Sequence, residues 1–204
     1  MAAIEFWCEL ASTYTYLAAS RIESLGRARG VTVKWSPFLL GPIFAAAGWQ
    51  TSPFEIYVAK GRYMWRDVAR GAQAQGIPFR RPTVFPRNTV LPARVALVGV
   101  DRGWGPEFIR RALSANFAED REISEPSVVA ELLAELGQNA SAILEEATSE
   151  AWKPRLRATT ERAIGLGIFG APTFMVGDEM FWGNDRLEQA VDLAVRDRSR
   201  EGVQ

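Results

Sequence analysis

Ser12-Thr13-Tyr14-Thr15 has the spacing of a Cys-x-x-Cys pair, with hydroxyls where a redox protein would carry two thiols. It lies within CELASTYTYLA, residues 8 to 18, which reads as a strand running into a helix. The first N–H groups of a helix have no intrahelical acceptor, and the helix dipole favours negative charge there by ~0.3–1 kcal/mol. Such a place can hold a thiolate. Neither Ser12 nor Thr15 forms a disulfide, so dithiol exchange is excluded at this position. The chain contains no histidine and a single cysteine, Cys8. Ser-His-Asp and Cys-His catalysis are therefore excluded, and the ligands of a zinc site are missing, so no metal is expected. A serine hydroxyl is a weak nucleophile without a base. Lys60 and Glu9 have the right chemistry for one, and spacing favours neither. A second signal is FGAPTF, residues 169 to 174, where Pro172 starts a strand after a glycine turn and a cis peptide bond would fit.

The elements that must position these residues follow from periodicity. AIEFWC, residues 3 to 8, predicts a strand. Ser12 or Thr13 caps a helix to about Arg29, with Tyr14, Leu17, Ala18, Ile22 and Leu25 at helical spacing, and Gly30 ends it. VTVKWSPFLL predicts a second strand, and a β-α-β order implies parallel pairing. From about Gly41 to Gly167 the chain is rich in helix formers, and PFEIYVAKGRYMWRDVARGAQAQG reads as one helical stretch. PTFMVG and EMFWG predict a hairpin, and NDRLEQAVDLAVRDRS a last amphipathic helix capped by Asn184 or Asp185. The order is that of an α/β thioredoxin-like domain, residues 1–40 and 168–204, with an all-helical insertion over 41–167. In that fold the residue before the proline, here Ala171, leaves its backbone free to pair with an extended peptide. Helix start and proline together suggest a site for an anion or thiolate beside a peptide backbone.

Bulk properties narrow the function classes. The chain has 204 residues, 48% of them hydrophobic, which suits one domain or one domain inserted in another. Lys+Arg and Asp+Glu balance at 24 each, giving no electrostatic reason to expect nucleic acid or an anionic membrane surface. FRRP, residues 79 to 82, is a short, isolated basic cluster. No apolar run reaches membrane-spanning length, and one cysteine suits a reducing compartment, so a cytoplasmic protein is expected. Cys8 reads as a small buried hydrophobe. Trp49 and Trp65 are candidates for the wall of an apolar substrate pocket.

ELASTYTYLA, PFLLGPIF, AKGRYMWRD, FPRN and IFGAPTFMVGDEMFWGNDRLEQ resemble the 2-hydroxychromene-2-carboxylate isomerases, relatives of kappa-class glutathione transferases and of DsbA-like oxidoreductases. The resemblance implies glutathione as cofactor and a homodimer. By it, Ser12 contacts the glutathione sulfur and Ala171, before Pro172, pairs with the cysteinyl backbone. Trp182, Gly183, Asn184 and Asp185 hold the γ-glutamyl end, and Lys60 the glycine carboxylate. Ser12 would then donate a hydrogen bond to a thiolate supplied from outside, with each unit of thiol pKa depression representing ~1.4 kcal/mol. The implied reaction is cis-trans isomerisation of an aromatic 2-oxo acid, by reversible thiolate addition, bond rotation and elimination.

The substrate half departs from the family pattern. The loop GPIFAAAGWQTSP lacks the lysine that such isomerases carry, Trp49 replaces an asparagine, and Thr89 stands where a tyrosine is expected after the retained Asn88. Trp49 and Asn88 are thus candidate pocket residues, facing a small aromatic or conjugated oxo acid. A kappa-like transferase and a thiol-binding protein without turnover are the competing readings. Glutathione consumption separates the first two, and ligand stabilisation by conjugated acids tests the third.

Overall fold

The computed structural model describes residues 2–201. Strand β1 (Ala3–Cys8) leads into α1 (Thr13–Ala19), α2 (Ile22–Arg29) and β2 (Thr32–Pro37). Eight helices follow before the next strand: α3 (Leu40–Ala46), α4 (Pro53–Ile56), α5 (Val58–Gln75), α6 (Val90–Arg102), α7 (Gly105–Phe117), α8 (Pro126–Glu135), α9 (Ala140–Thr148) and α10 (Lys153–Gly165). The chain returns through β3 (Thr173–Val176), β4 (Glu179–Trp182), a 3-10 turn at Asn184–Arg186 and α11 (Leu187–Glu201). The sheet order is β2-β1-β3-β4, with β1 and β2 parallel and the other neighbours antiparallel. This is the α/β thioredoxin-like architecture that the strand order predicts.

β1 is central, so both of its faces are covered and alternate residues enter different clusters. Ile4, Phe6 and Cys8 join the larger core, while Trp7 packs with Phe38, Ala163, Ile168 and Met175 on the other side. The Phe6 ring lies 5.4 Å from Phe174 and 4.8 Å from Trp35. The larger core continues without interruption into Phe108, Leu113 and Leu132 of the helices between β2 and β3. Cys8 is fully buried, and burial pushes its thiol far above the ordinary range, with the neighbouring Glu9 adding to the effect. It packs as a small hydrophobe.

Four local expectations are corrected. The helix expected from Thr13 to Arg29 breaks at Ser20–Arg21, where Ser20 donates its hydroxyl to the Leu17 carbonyl and Arg21 leaves helical geometry at φ −127°, ψ −15°. Local side-chain bonding of this kind competes with the helix ladder. The stretch from Pro53 breaks at Tyr57, so that α4 folds against α5. The close approach requires Gly61, since a Cβ there would lie 2.1 Å from the Phe54 carbonyl oxygen. Asn184 and Asp185 are not simple caps of the last helix; they form the 3-10 turn that precedes it. Part of the segment after β2 that reads as a loop is helical as α3.

Candidate functional site

A cleft of about 1880 Å³ opens between the start of α1, the turn before β3, the end of β4, helix α5 and the loop before α6. Ser12, Lys60, Ala171, Trp182, Gly183, Asn184, Asp185, Trp49 and Asn88 all line it. Pro172 does not; its ring is buried behind the wall. Trp65 also lies outside the lining and packs edge-on against Phe85, with ring centroids 4.8 Å apart.

Ser12 is the N-cap of α1, and its Oγ accepts the Thr15 N–H at 3.2 Å. The same hydroxyl donates to the Ala171 carbonyl at 2.8 Å, across 159 residues of sequence. Capping and facing the proline turn are therefore compatible roles of one hydroxyl. The Ala171–Pro172 bond is cis, as is Phe85–Pro86 in the loop opposite. Thr15, at the second position of the Ser-x-x-Thr pair, is fully buried in the first helical turn and does not reach the cleft.

The far rim is built on Gly183. Its N–H donates to the Pro172 carbonyl at 2.9 Å, and its φ of +111° is one that glycine adopts readily and side chains rarely do. That geometry turns the chain into the 3-10 turn and brings Asn184 and Asp185 to the cleft. Arg21 clamps the turn, donating to the Asn184 carbonyl at 2.8 Å and to its Oδ1 at 3.2 Å while pairing with Glu188. Trp182 is half exposed and meets the Phe169 ring at 4.8 Å. Gly170 lies under it: a Cβ there would sit 2.3 Å from the Trp182 Nε1.

Helix α5 supplies Lys60, whose ammonium lies 5.0 Å from the Tyr57 ring centroid, and Asp67, which accepts the Tyr14 hydroxyl at 3.0 Å. Burial and Asp67 push the Tyr14 hydroxyl well above its ordinary range, so it acts as a neutral donor. In the opposite loop Asn88 Oδ1 accepts the Val90 N–H at 2.9 Å, so Asn88 both lines the cleft and shapes the entry to α6. Arg87 holds that loop from behind. Its buried guanidinium donates to Asn116 Oδ1 at 2.8 Å and Asp120 Oδ1 at 2.6 Å, and to Glu122 at 3.2 Å.

Glu9 stands apart from the other acids. It is one of the residues lining the cleft, yet it is only 5% exposed. The Thr89 hydroxyl donates to Oε1 at 2.5 Å and the Ala11 N–H to Oε2 at 2.8 Å. Burial raises its pKa from the ordinary 4.5 to about 7, with those bonds and the Ser12 N–H only partly opposing. Periodicity does not mark Glu9 or Arg21 as site residues; their partners lie 80 and 163 residues away, at Thr89 and Asn184. For Thr89 the sequence offers one signal, its departure from the family pattern.

The cleft can thus stabilise an anion at a helix start, pair an extended backbone at Ala171, and meet charged ends with Lys60, Asp185 and the turn. Among the described residues no group of three or more His, Cys, Asp or Glu is placed to hold a metal. No described helix is long and apolar enough to cross a membrane.

A helix start facing a cis-proline on a β2-β1-β3-β4 sheet defines a thioredoxin-type site, and the chain belongs to the DsbA-like thioredoxin domain family, whose model matches residues 3–194. It is 29% identical to a 2-hydroxychromene-2-carboxylate isomerase of Pseudomonas putida, over 90% of each chain. It is also 29% identical to glutathione S-transferase kappa 2 of Caenorhabditis elegans, over 93% of this chain and 90% of that one. A solved 2-hydroxychromene-2-carboxylate isomerase superposes with a TM-score of 0.87 at 26% identity, covering 98% of each chain.

Proposed function

We propose that the protein is a glutathione-dependent isomerase of an aromatic or conjugated 2-oxo acid. The observation that carries this reading is the 2.8 Å bond between Ser12 and the Ala171 carbonyl, made where a thioredoxin-type site would hold its thiols. A chain with hydroxyls there and one buried cysteine needs its reactive sulfur from elsewhere. Relatives named as isomerases and as glutathione transferases support both halves of the reading.

The residues present fit glutathione. Ala171 offers a backbone for the cysteinyl residue, Lys60 a cation for one carboxylate, and Asn184 with Asp185 partners for the γ-glutamyl end. Bound glutathione would supply a nucleophilic sulfur for reversible addition to a conjugated oxo acid, permitting bond rotation and elimination. Ser12 gains its role through an exchange of partners. Its hydroxyl is spent on the Ala171 carbonyl; once that carbonyl accepts a peptide N–H instead, the hydroxyl is released to donate to sulfur. The α1 N-terminus adds fixed positive potential at the same place. Trp49, Asn88 and Thr89 line the remaining volume and face the second ligand.

Thermal stability with and without millimolar glutathione tests the reading on wild type and Ser12→Ala. Saturation at about 100 times Kd adds ~2.7 kcal/mol, a clear shift in Tm. A shift that shrinks in Ser12→Ala supports the site; no shift in wild type removes glutathione and the isomerase reading together. The kappa relatives and the breadth of the cleft favour a second reading, a transferase that conjugates glutathione to electrophiles. Consumption of glutathione during turnover marks the transferase, and its conservation the isomerase.

A further inference from the structure

We infer that Glu9 is the proton acceptor of the site, taking up the proton that a bound thiol gives up, so that thiolate and carboxylate share one negative charge. The inference rests on the glutathione reading and adds to it a group that Ser12 and the helix start do not supply. On binding, the S–H bond breaks with the electron pair left on sulfur, and an O–H bond forms on the Glu9 carboxylate. No co-reactant is needed.

The geometry is specific to this residue. Glu9 lies three positions before Ser12, and its main-chain carbonyl accepts the Ser12 N–H at 3.1 Å. The residue is 5% exposed and lines the same cleft as Ser12, and its carboxyl accepts from the Ala11 N–H and the Thr89 hydroxyl, both of cleft-lining residues. Among the described residues it has no ion pair within 4.0 Å, so no cation fixes it in the charged form. The groups around it are accounted for. On β1 the Cys8 thiol is buried and stays protonated. In the loop before α6, Arg87 is committed to Asn116, Asp120 and Glu122, and Thr89 is an uncharged donor. Across the cleft α5 presents Lys60, Asp67 and Arg70, the last two paired with each other. A thiolate at the α1 N-terminus would add a negative charge close to a carboxylate that burial already disfavours. The shared environment therefore drives proton uptake at Glu9 as the sulfur ionises.

The test is calorimetric titration of glutathione into wild type and Glu9→Gln in buffers of different ionisation enthalpy, which counts protons released on binding. Near pH 5.5 Glu9 is already protonated, and thiolate formation releases about one proton in both proteins. Near pH 7.5 wild type releases fewer protons than near pH 5.5, because Glu9 takes up part of what the thiol loses, while Glu9→Gln still releases about one. Equal proton counts in the two proteins at both pH values overturn the inference while leaving glutathione binding intact. No binding heat in wild type overturns the glutathione reading and this inference with it. Should Glu9→Gln fail to fold, Thr89→Val decides: removing a hydrogen bond that lowers the Glu9 pKa moves the fall in proton release to higher pH. An unmoved fall overturns the inference.

Discussion

Replacing Glu9 by glutamine removes a titration that the fold has displaced into an otherwise silent pH range. In the unfolded chain a glutamate ionises near 4.5, while in the native cleft burial raises Glu9 to about 7. Between these values the native state holds a proton that the unfolded state has lost, so wild-type stability falls as pH rises. Below the window Glu9 is protonated in both states, and above it ionised in both, so the contribution is constant on either side. At ~1.4 kcal/mol per pH unit, the fall across the window is about 3 kcal/mol. The chain has no histidine, which usually dominates this range. Glu5 is held low despite its burial by hydrogen bonds from Arg162 and Ser36, and Asp120 by the Thr83 N–H and Arg87. Both therefore titrate below the window, where their stabilisation is lost as pH falls. Glutamine also exchanges an acceptor oxygen for a donor, which adds an offset of about 1 kcal/mol at every pH. Urea denaturation of both proteins at a series of pH values separates offset from slope. The stability of wild type relative to Glu9→Gln should decline by about 3 kcal/mol from pH 4.5 to just above pH 7. A flat difference across that range would refute the claim that burial controls this carboxyl.

Three other perturbations follow from the site. Ser12→Ala removes the cap on Thr15 and should cost about 1 kcal/mol in denaturant melts, while the ultraviolet absorbance of bound thiolate declines. Gly170→Ala puts a methyl against the Trp182 ring; because that ring is half exposed, it should swing off the rim with little loss of Tm, a shift in tryptophan fluorescence and weaker glutathione binding. Arg21→Ala frees the 3-10 turn from its clamp and should weaken glutathione binding by about tenfold, equivalent to ~1.4 kcal/mol, measured by calorimetry.

The sequence by itself determined what depends on neighbours a few residues apart. The β-α-β opening, the Ser12 cap, the hairpin at β3–β4 and the proline turn at Ala171–Pro172 all follow from periodicity, capping and turn chemistry. The absence of histidine and of a second cysteine also excluded whole classes of chemistry before any fold was known. Local signals placed Ser12 and Ala171 at element ends. Only the tertiary structure put them 2.8 Å apart, because strand order decides which loops share an edge. The break at Ser20–Arg21 was hidden for a related reason. Its residues are acceptable inside a helix, and the clamp on Asn184 that uses the broken geometry comes from 163 residues away. Glu9 shows the limit most clearly. Its identity is visible in the sequence, but its pKa is a property of burial and of a hydroxyl 80 residues downstream, and burial exists only once the chain has packed.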